Sequence, residues 1–235
     1  MHALFLTKIV IGREIRYWPE VESTNAMAMH LAREGAAEGT VVIADAQSRG
    51  RGRAGKPWYS PPGLNLYLSV LLRPSLEVRE AALLTFIGSL AVADTIDAKG
   101  GHTQVKWPND VLLADRKVAG VLAELHTVGG KVAALVLGIG VNLNVERDML
   151  NRALGEAAWG AASLKEVLGW EVDRVAFAAA LLESLERRYH QFLADGKRAV
   201  MEEWKARLTE ALRMMISPTR MGDRKSMWSI EAVTT

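Results

Sequence analysis

Hydrophobic and polar positions change their period several times along this chain, and those changes predict its elements. Ile15 to Tyr17 reads as a short strand. Ser23-Thr24-Asn25 offers N-cap oxygens ahead of the Ala- and Met-rich run from Ala26 to Ala32, which reads as a helix closing at Gly35. Thr40 to Ala44 is β-branched and apolar, the pattern of a buried strand. Between Leu64 and Leu72, apolar residues at every second position alternate with Asn65, Tyr67 and Ser69, which predicts a half-buried strand. Val78 to Ala98 is apolar over helical length and stops near Gly100-Gly101. Three strand-like pieces follow at Thr103 to Lys106, Val111 to Leu113 and Lys117 to Leu125, with a turn at Asp115-Arg116. Ala133 to Ile139 is another buried strand, and from Glu146 the pattern becomes helical, with a clear amphipathic helix over Asp173 to Leu193. Strands and helices mix without a regular βαβ alternation. The expected class is therefore α+β, a mixed β-sheet flanked by helices, rather than a doubly wound fold.

The segment Gln47 to Gly63 belongs to none of these periods. It packs three Arg, one Lys and four Gly around a single Trp, and no Asp or Glu occurs from Ala46 to Leu76. Glycine lets backbone amides approach a ligand closely, and arginine supplies planar, permanently charged donors for phosphate and carboxylate. Arg-Gly runs are also common in disordered nucleic-acid-binding tails. Here the run sits between two apolar segments, which favours an ordered loop around a polyanionic small molecule. Gly50 to Gly55 formally matches G-x-G-x-x-G, but Pro57, Pro61 and Pro62 block the helix a dinucleotide fingerprint requires, and no acidic residue follows at ribose-binding distance.

Composition narrows the classes. With 235 residues, about half of them apolar, the chain can build one sizeable core with at most a small appendage. Its 29 basic and 27 acidic side chains nearly cancel, so the basic character is local and a dedicated nucleic-acid coat is not expected. The lack of cysteine removes disulfides, thiol nucleophiles and thiolate metal sites and fits a reducing, cytoplasmic setting. No run of about 18 apolar residues could span a bilayer, and the apolar start at Ala3 to Leu6 meets Lys8, Arg13 and Glu14 too soon for a signal peptide.

Three further clusters carry possible chemistry. Lys106-Trp107-Pro108-Asn109-Asp110 combines an extended residue before proline with turn-forming side chains; alone it is a plain strand–turn–strand. Lys117 opens the next strand and alone would be a solvated edge lysine. Gly138 and Gly140, with Asn142 two residues on, leave one strand face bare, either for tight packing or for a flat ligand against the backbone.

Taken together, the pieces resemble the biotin protein ligases. The match comprises Ser23-Thr24-Asn25, Gln47 through Trp58, Ser60 to Gly63 with Asn65-Leu66-Tyr67, Lys106 to Asp110, Arg116-Lys117 with Ala119-Gly120, and Gly138 to Asn142, in order and spacing over roughly residues 12 to 145. The resemblance implies a fold like that of class II aminoacyl-tRNA synthetases and an ATP-dependent, Mg²⁺-assisted activation of biotin as biotinyl-5′-AMP. Transfer to one lysine of a biotin carboxyl carrier domain follows. It implies that Gly50, Arg51, Gly52 and Arg53 form the loop over biotin and the adenylate, with Arg53 at the α-phosphate. It places Lys117 at the biotin carboxylate and the same phosphate. Ser23, Thr24 and Gln47 fall at or beside the ureido head, Asn25 among the ligand-binding residues, and Gly120, Gly138 and Gly140 along the ring and tail. Trp58 and Asn142 fall at the nucleotide, and Asp110 at the incoming lysine. No dedicated protein metal site is implied.

The resemblance fades toward the C-terminus. Trp204 to Thr209 looks like the helix that leads to a small barrel in such proteins, but Glu210 to Thr235 shows no alternating strands. The expected division is a catalytic domain over 1–195 and a linker helix with an atypical, apparently truncated segment over 196–235. The expected form is monofunctional, without a DNA-binding domain, and able to pair as a homodimer. A lipoate ligase, a nucleic-acid-binding module and a biotin-binding protein without turnover remain as alternatives. Oligonucleotide binding and pyrophosphate release would separate them.

Overall fold

The computed structural model describes residues 10–209. The apolar start at Ala3 to Leu6 and the segment from Glu210 to Thr235 lie outside the described residues. The chain runs β1 (Ile15–Val21), α1 (Thr24–Arg33), β2 (Val41–Gln47), β3 (Leu66–Leu72), α2 (Ala82–Asp97), β4 (Thr103–Lys106), β5 (Asp110–Leu113), β6 (Arg116–Val128) and β7 (Lys131–Val141). It ends in α3 (Arg147–Leu154), α4 (Leu164–Leu168), α5 (Arg174–Asp195) and α6 (Lys197–Ala206). The strands form one seven-stranded sheet in the order β1-β2-β3-β7-β6-β5-β4. Only β1 and β2 pair in parallel, so the sheet is mixed, as the irregular alternation of elements predicts.

Helices cover both faces of the sheet. On one face α1 buries Ala28, Leu31 and Ala32 against Val42, Leu71, Ala134 and Val136. On the other, α2, α5 and α6 bury Leu84, Ile87, Leu90, Phe177, Leu181 and Trp204 against Leu68, Val70, Leu135 and Leu137. Odd and even positions of one strand therefore meet different cores. This corrects the expectation for β3: all seven of its residues are buried, including Tyr67 and Ser69, because it is central and covered on both sides. Burial pushes the Tyr67 phenol well above its usual range, and its OH donates to Pro61 O at 3.0 Å. The tyrosine thus pins the end of the Arg-Gly loop as a neutral group.

Element limits differ in physically readable ways. The apolar run from Val78 begins with a 3₁₀ turn at Val78–Glu80 before α2 starts at Ala82. The β6–β7 hairpin is longer than its apolar stretch, since paired backbone continues to Val128 and Lys131 around Gly129 and Gly130. At the start of α5, Asp173 Oδ1 accepts from the amides of Val175 (2.9 Å) and Ala176 (3.0 Å), an N-cap that sets the first residue of the helix.

The helix beyond residue 195 is not a free linker. Gly196 opens α6, and Val200, Trp204 and Leu208 are buried in the main core. Trp204 stacks on Phe86 of α2 with ring centroids 4.3 Å apart. Val105 of β4 exchanges backbone hydrogen bonds with the segment after α6, donating to Arg207 O (2.8 Å) and accepting from the Thr209 amide (3.2 Å). Arg207 also reaches Asp94 (2.7 Å) and Asp97 (2.6 Å) on α2. Among the described residues no helix is long and apolar enough to cross a membrane.

Candidate active site

A cavity of about 480 Å³ opens where the Arg-Gly loop crosses the sheet. Its lining includes Ser23, Thr24 and Asn25 from the start of α1, Gln47 from the end of β2, and Arg51, Gly52, Arg53 and Trp58 from the loop. The sheet contributes Asp110, Lys117, Gly120, Gly138 and Gly140, and Asn142 lies just beyond β7. Residues scattered over 120 positions of sequence thus meet in one place. Gly50 alone of the expected site residues does not line it. A Cβ there would lie 2.5 Å from Trp58 O and 2.6 Å from Ser60 Oγ, so this glycine is needed for the loop to fold back on itself.

The polar groups at α1 form a connected set. Gln47 Oε1 accepts from Thr24 N (2.9 Å) and Thr24 Oγ1 (3.2 Å), and Gln47 Nε2 donates to Ser60 Oγ (2.9 Å). Glutamine therefore meets a first-turn amide of α1, and the Ser23 hydroxyl, expected as the N-cap, makes no capping bond. Ser69 Oγ is hydrogen-bonded to Thr24 Oγ1 (2.8 Å) and Asn25 Oδ1 (2.6 Å). Asn25 Nδ2 donates to Leu122 O (3.3 Å) and Glu124 Oε2 (2.7 Å). With both amide hydrogens and its oxygen engaged, Asn25 acts as a strut rather than a group held ready for a ligand. Neither Ser69 nor Glu124 has a role legible in the sequence: Ser69 is a lone hydroxyl in an otherwise apolar strand, and Glu124 is one of several polar residues in β6.

The bare glycine face is filled by the protein itself. A Cβ on Gly138 would fall 1.9 Å from Asn25 Oδ1, and one on Gly140 would fall 2.5 Å from Trp58 Nε1. Gly120 faces the same indole, its Cβ position lying 3.2 Å from Trp58 Cζ3. Trp58 therefore packs flat against β6 and β7, and its Nε1 is buried without a hydrogen-bond partner. Above it, Lys117 Nζ lies 5.2 Å from the ring centroid and 2.6 Å from Asp110 Oδ1. Two neighbours of opposite character, a carboxylate and a π face, fix this ammonium in the cavity. Arg53 Cζ stands 5.6 Å over the ring of Trp107, whose peptide bond to Pro108 is cis.

Asparagines fasten the other side. Asn142 Nδ2 donates to Ala162 O (3.1 Å), Asn65 Oδ1 accepts from Leu143 N (3.0 Å), and Asn144 makes two bonds with the backbone of Val172, as acceptor (2.8 Å) and donor (2.9 Å). Arg147 donates to Ala158 O (2.9 Å) and Ala161 O (2.8 Å) and pairs with Glu166, which also pairs with Arg116. Burial would raise the Glu166 carboxyl, but the two arginines outweigh it and hold the group below its usual value. These contacts lock residues 155–166 beside Lys117, whose backbone O accepts from Ala162 N (3.0 Å).

A closed-over cationic loop, a fixed lysine and an uncharged polar recess suit a substrate carrying both a polar head and negative charge. Residues 17–142, more than half the chain, match the sequence profile of the Biotin/lipoate A/B protein ligase family. The chain belongs to this family. It is 35% identical over 201 residues to the biotin--[acetyl-CoA-carboxylase] ligase of Paracoccus denitrificans, covering 84% of this chain and 82% of that protein. It is 33% identical over 198 residues to the bifunctional ligase/repressor BirA of Bacillus spizizenii, covering 84% of this chain but only 60% of BirA. Among solved structures, the biotin protein ligase of Aquifex aeolicus in complex with biotin and ATP superposes with a TM-score of 0.69 at 28% identity over 83% of this chain and 78% of that one. The mixed sheet with flanking helices is thus the class II synthetase-like fold of the family's catalytic domains.

Proposed function

We propose that this family member is a biotin protein ligase. It would activate biotin with ATP as biotinyl-5′-AMP and pass the biotinyl group to one lysine of a biotin carboxyl carrier domain. The observation that carries the proposal is the convergence of Arg51, Arg53 and Lys117 on a single cavity that also holds Ser23, Thr24 and Gln47. Bringing a carboxylate against a triphosphate requires positive charge and oriented donors to offset their repulsion. An uncharged ureido head requires hydrogen-bonding partners, since burying it unpaired is costly.

In the first step a biotin carboxylate oxygen bonds to the α-phosphorus of ATP and the bond to pyrophosphate breaks. Lys117 supplies a compact charge at the oxygen gaining negative charge, and Arg53 a planar one at the phosphate. Trp58 offers the nucleotide base a face to stack on, with Asn142 nearby, and Gly120, Gly138 and Gly140, by admitting Asn25 and Trp58 against the sheet, shape the wall beside the biotin ring and tail. In the second step the amine of the acceptor lysine bonds to the acyl carbon, AMP leaves with the bonding pair, and the amine loses a proton. Asp110, paired with Lys117, would orient that amine. Mg²⁺ is expected on the nucleotide phosphates, from the chemistry of phosphoryl transfer, and no step is assigned to it. The proposed setting is the cytoplasm, with a carboxylase carrier as partner, no role in nucleic-acid or membrane binding, and a homodimer as the assembly. Biotin-dependent release of pyrophosphate from ATP tests the first step, and its absence at saturating biotin would reject it.

Arg53→Gly is expected to leak activated biotin. Losing a hydrogen bond to a charged group weakens retention by about 1.5–3 kcal/mol, so the adenylate should escape roughly 10–100-fold faster. Indiscriminate labelling of a bystander protein rich in lysine measures this, and unchanged retention with no stray labelling would rule out the role.

A further inference from the structure

Glu124 of β6 does not line the cavity, yet it touches two residues that do. Its Oε2 accepts from Asn25 Nδ2 at 2.7 Å, and its carboxylate lies 3.5 Å from Arg51 Nη2 in the loop. Asn25 is buried and pressed into the space left by Gly138, so it can move little without losing Ser69 or Glu124. Arg51 lies on the opposite arm, where the loop bridges to Pro57 and Gly52 N donates to Lys56 O at 2.7 Å. One carboxylate therefore joins a rigid element, the first turn of α1, to a cationic loop that carries no acid of its own.

We infer that Glu124 is a positioning residue for this site, latching the loop through Arg51 and aligning it with the recess through Asn25. The bond from buried Asn25 to Oε2 fixes the carboxylate's rotamer, and Arg51 Nη2 lies 3.5 Å from both of its oxygens, so the charge is offered to the loop at a set place. The loop's closed position is then referenced to the same strut that shapes the recess, so loop closure and recess geometry stay in register. The catalytic consequence, slower escape of an adenylate, rests on the ligase reading above; the latch itself does not.

Glu124→Gln keeps the size and an acceptor for Asn25 but removes the charge that holds Arg51. Arg51→Ala removes the other partner at an exposed position, where misfolding is not expected. Hydrogen exchange at the amides of Gly52 and Trp58, whose acceptors are Lys56 O and Gly50 O, reports the order of the loop that Arg51 anchors, in the protein without added ligand. Each single variant is expected to exchange roughly threefold faster at these amides, the scale of a partly exposed ion pair, and the double variant no faster than either single. Unchanged exchange in Glu124→Gln, or effects that simply add in the double variant, would overturn the latch. With biotin and ATP supplied, the same variants should release the adenylate faster than wild type. A wild-type protein that makes no adenylate would reject the ligase reading, while the exchange comparison still decides the latch.

Discussion

Replacing Lys117 by alanine is expected to slow biotin-dependent pyrophosphate release about a thousandfold, the upper range for removing one preorganised charge from a transition state. The lysine is held at both ends of its reach: the backbone by Ala162 N, the ammonium by Asp110 at 2.6 Å and the face of Trp58. It therefore spends little ordering entropy when the anions arrive. Its removal has a second cost. Asp110 would remain on the cavity wall without its counterion and would repel both substrates, so the variant loses an attraction and gains a repulsion. Biotin affinity, set largely by uncharged groups at Ser23, Thr24 and Gln47, should change far less than the rate. Lys117→Arg should recover only part of the loss: it can still pair with Asp110 and stack on the ring, but its broad, delocalised fork does not deliver the same compact charge at one oxygen. Stopped-time pyrophosphate assays beside calorimetric biotin titrations check this split. A Lys117→Ala enzyme within tenfold of wild type would refute the assignment.

The second large effect concerns a residue with no side chain. Gly138→Ala places a methyl 1.9 Å from Asn25 Oδ1 and 2.7 Å from its Cγ. Asn25 cannot swing aside cheaply, since it is buried and bonded to Ser69, Leu122 and Glu124. Either β7 shifts or the strut breaks and leaves buried polar groups unpaired, a destabilisation of about 2–3 kcal/mol. Because Ser69 also touches Thr24, the damage reaches the recess, and biotin binding should weaken by roughly a hundredfold if about that same energy is lost there. Gly140→Ala makes an informative contrast. Its methyl meets Trp58, which is only partly buried and sits on a loop, so the loop can yield and the melting temperature should fall less. Thermal melts and biotin titrations of the two variants test the ranking, and equal melting temperatures would contradict it.

Much of this site is legible in the amino-acid sequence. The density of Arg and Gly between two apolar strands marks the loop, and the Lys117, Gly138 and Gly140 positions become meaningful once the strands are placed side by side. What sequence patterns could not give is what fills the space beside those glycines. A bare face reads equally as room for a ligand or for the protein, and Asn25 and Trp58 occupy it through contacts more than 60 residues away in sequence. The covering of β3 on both faces was hidden for a related reason: Tyr67 and Ser69 look like solvent positions by type, but each finds a partner inside. Likewise Glu124 is one acid in an ordinary strand until α1 and the loop meet it. The helix beyond residue 195 reads as a linker because the partners that bury Val200, Trp204 and Leu208, among them Phe86 of α2 and the backbone of β4, are about 100 residues away in sequence.

The most direct test of the central claim is mass spectrometry of a biotin carboxyl carrier domain incubated with the protein, biotin and ATP-Mg²⁺. The account predicts one added biotinyl group on one lysine, dependent on both substrates and slowed about a thousandfold by Lys117→Ala. A carrier that stays unmodified while the protein binds biotin would contradict it and leave a biotin-binding protein in place of a ligase.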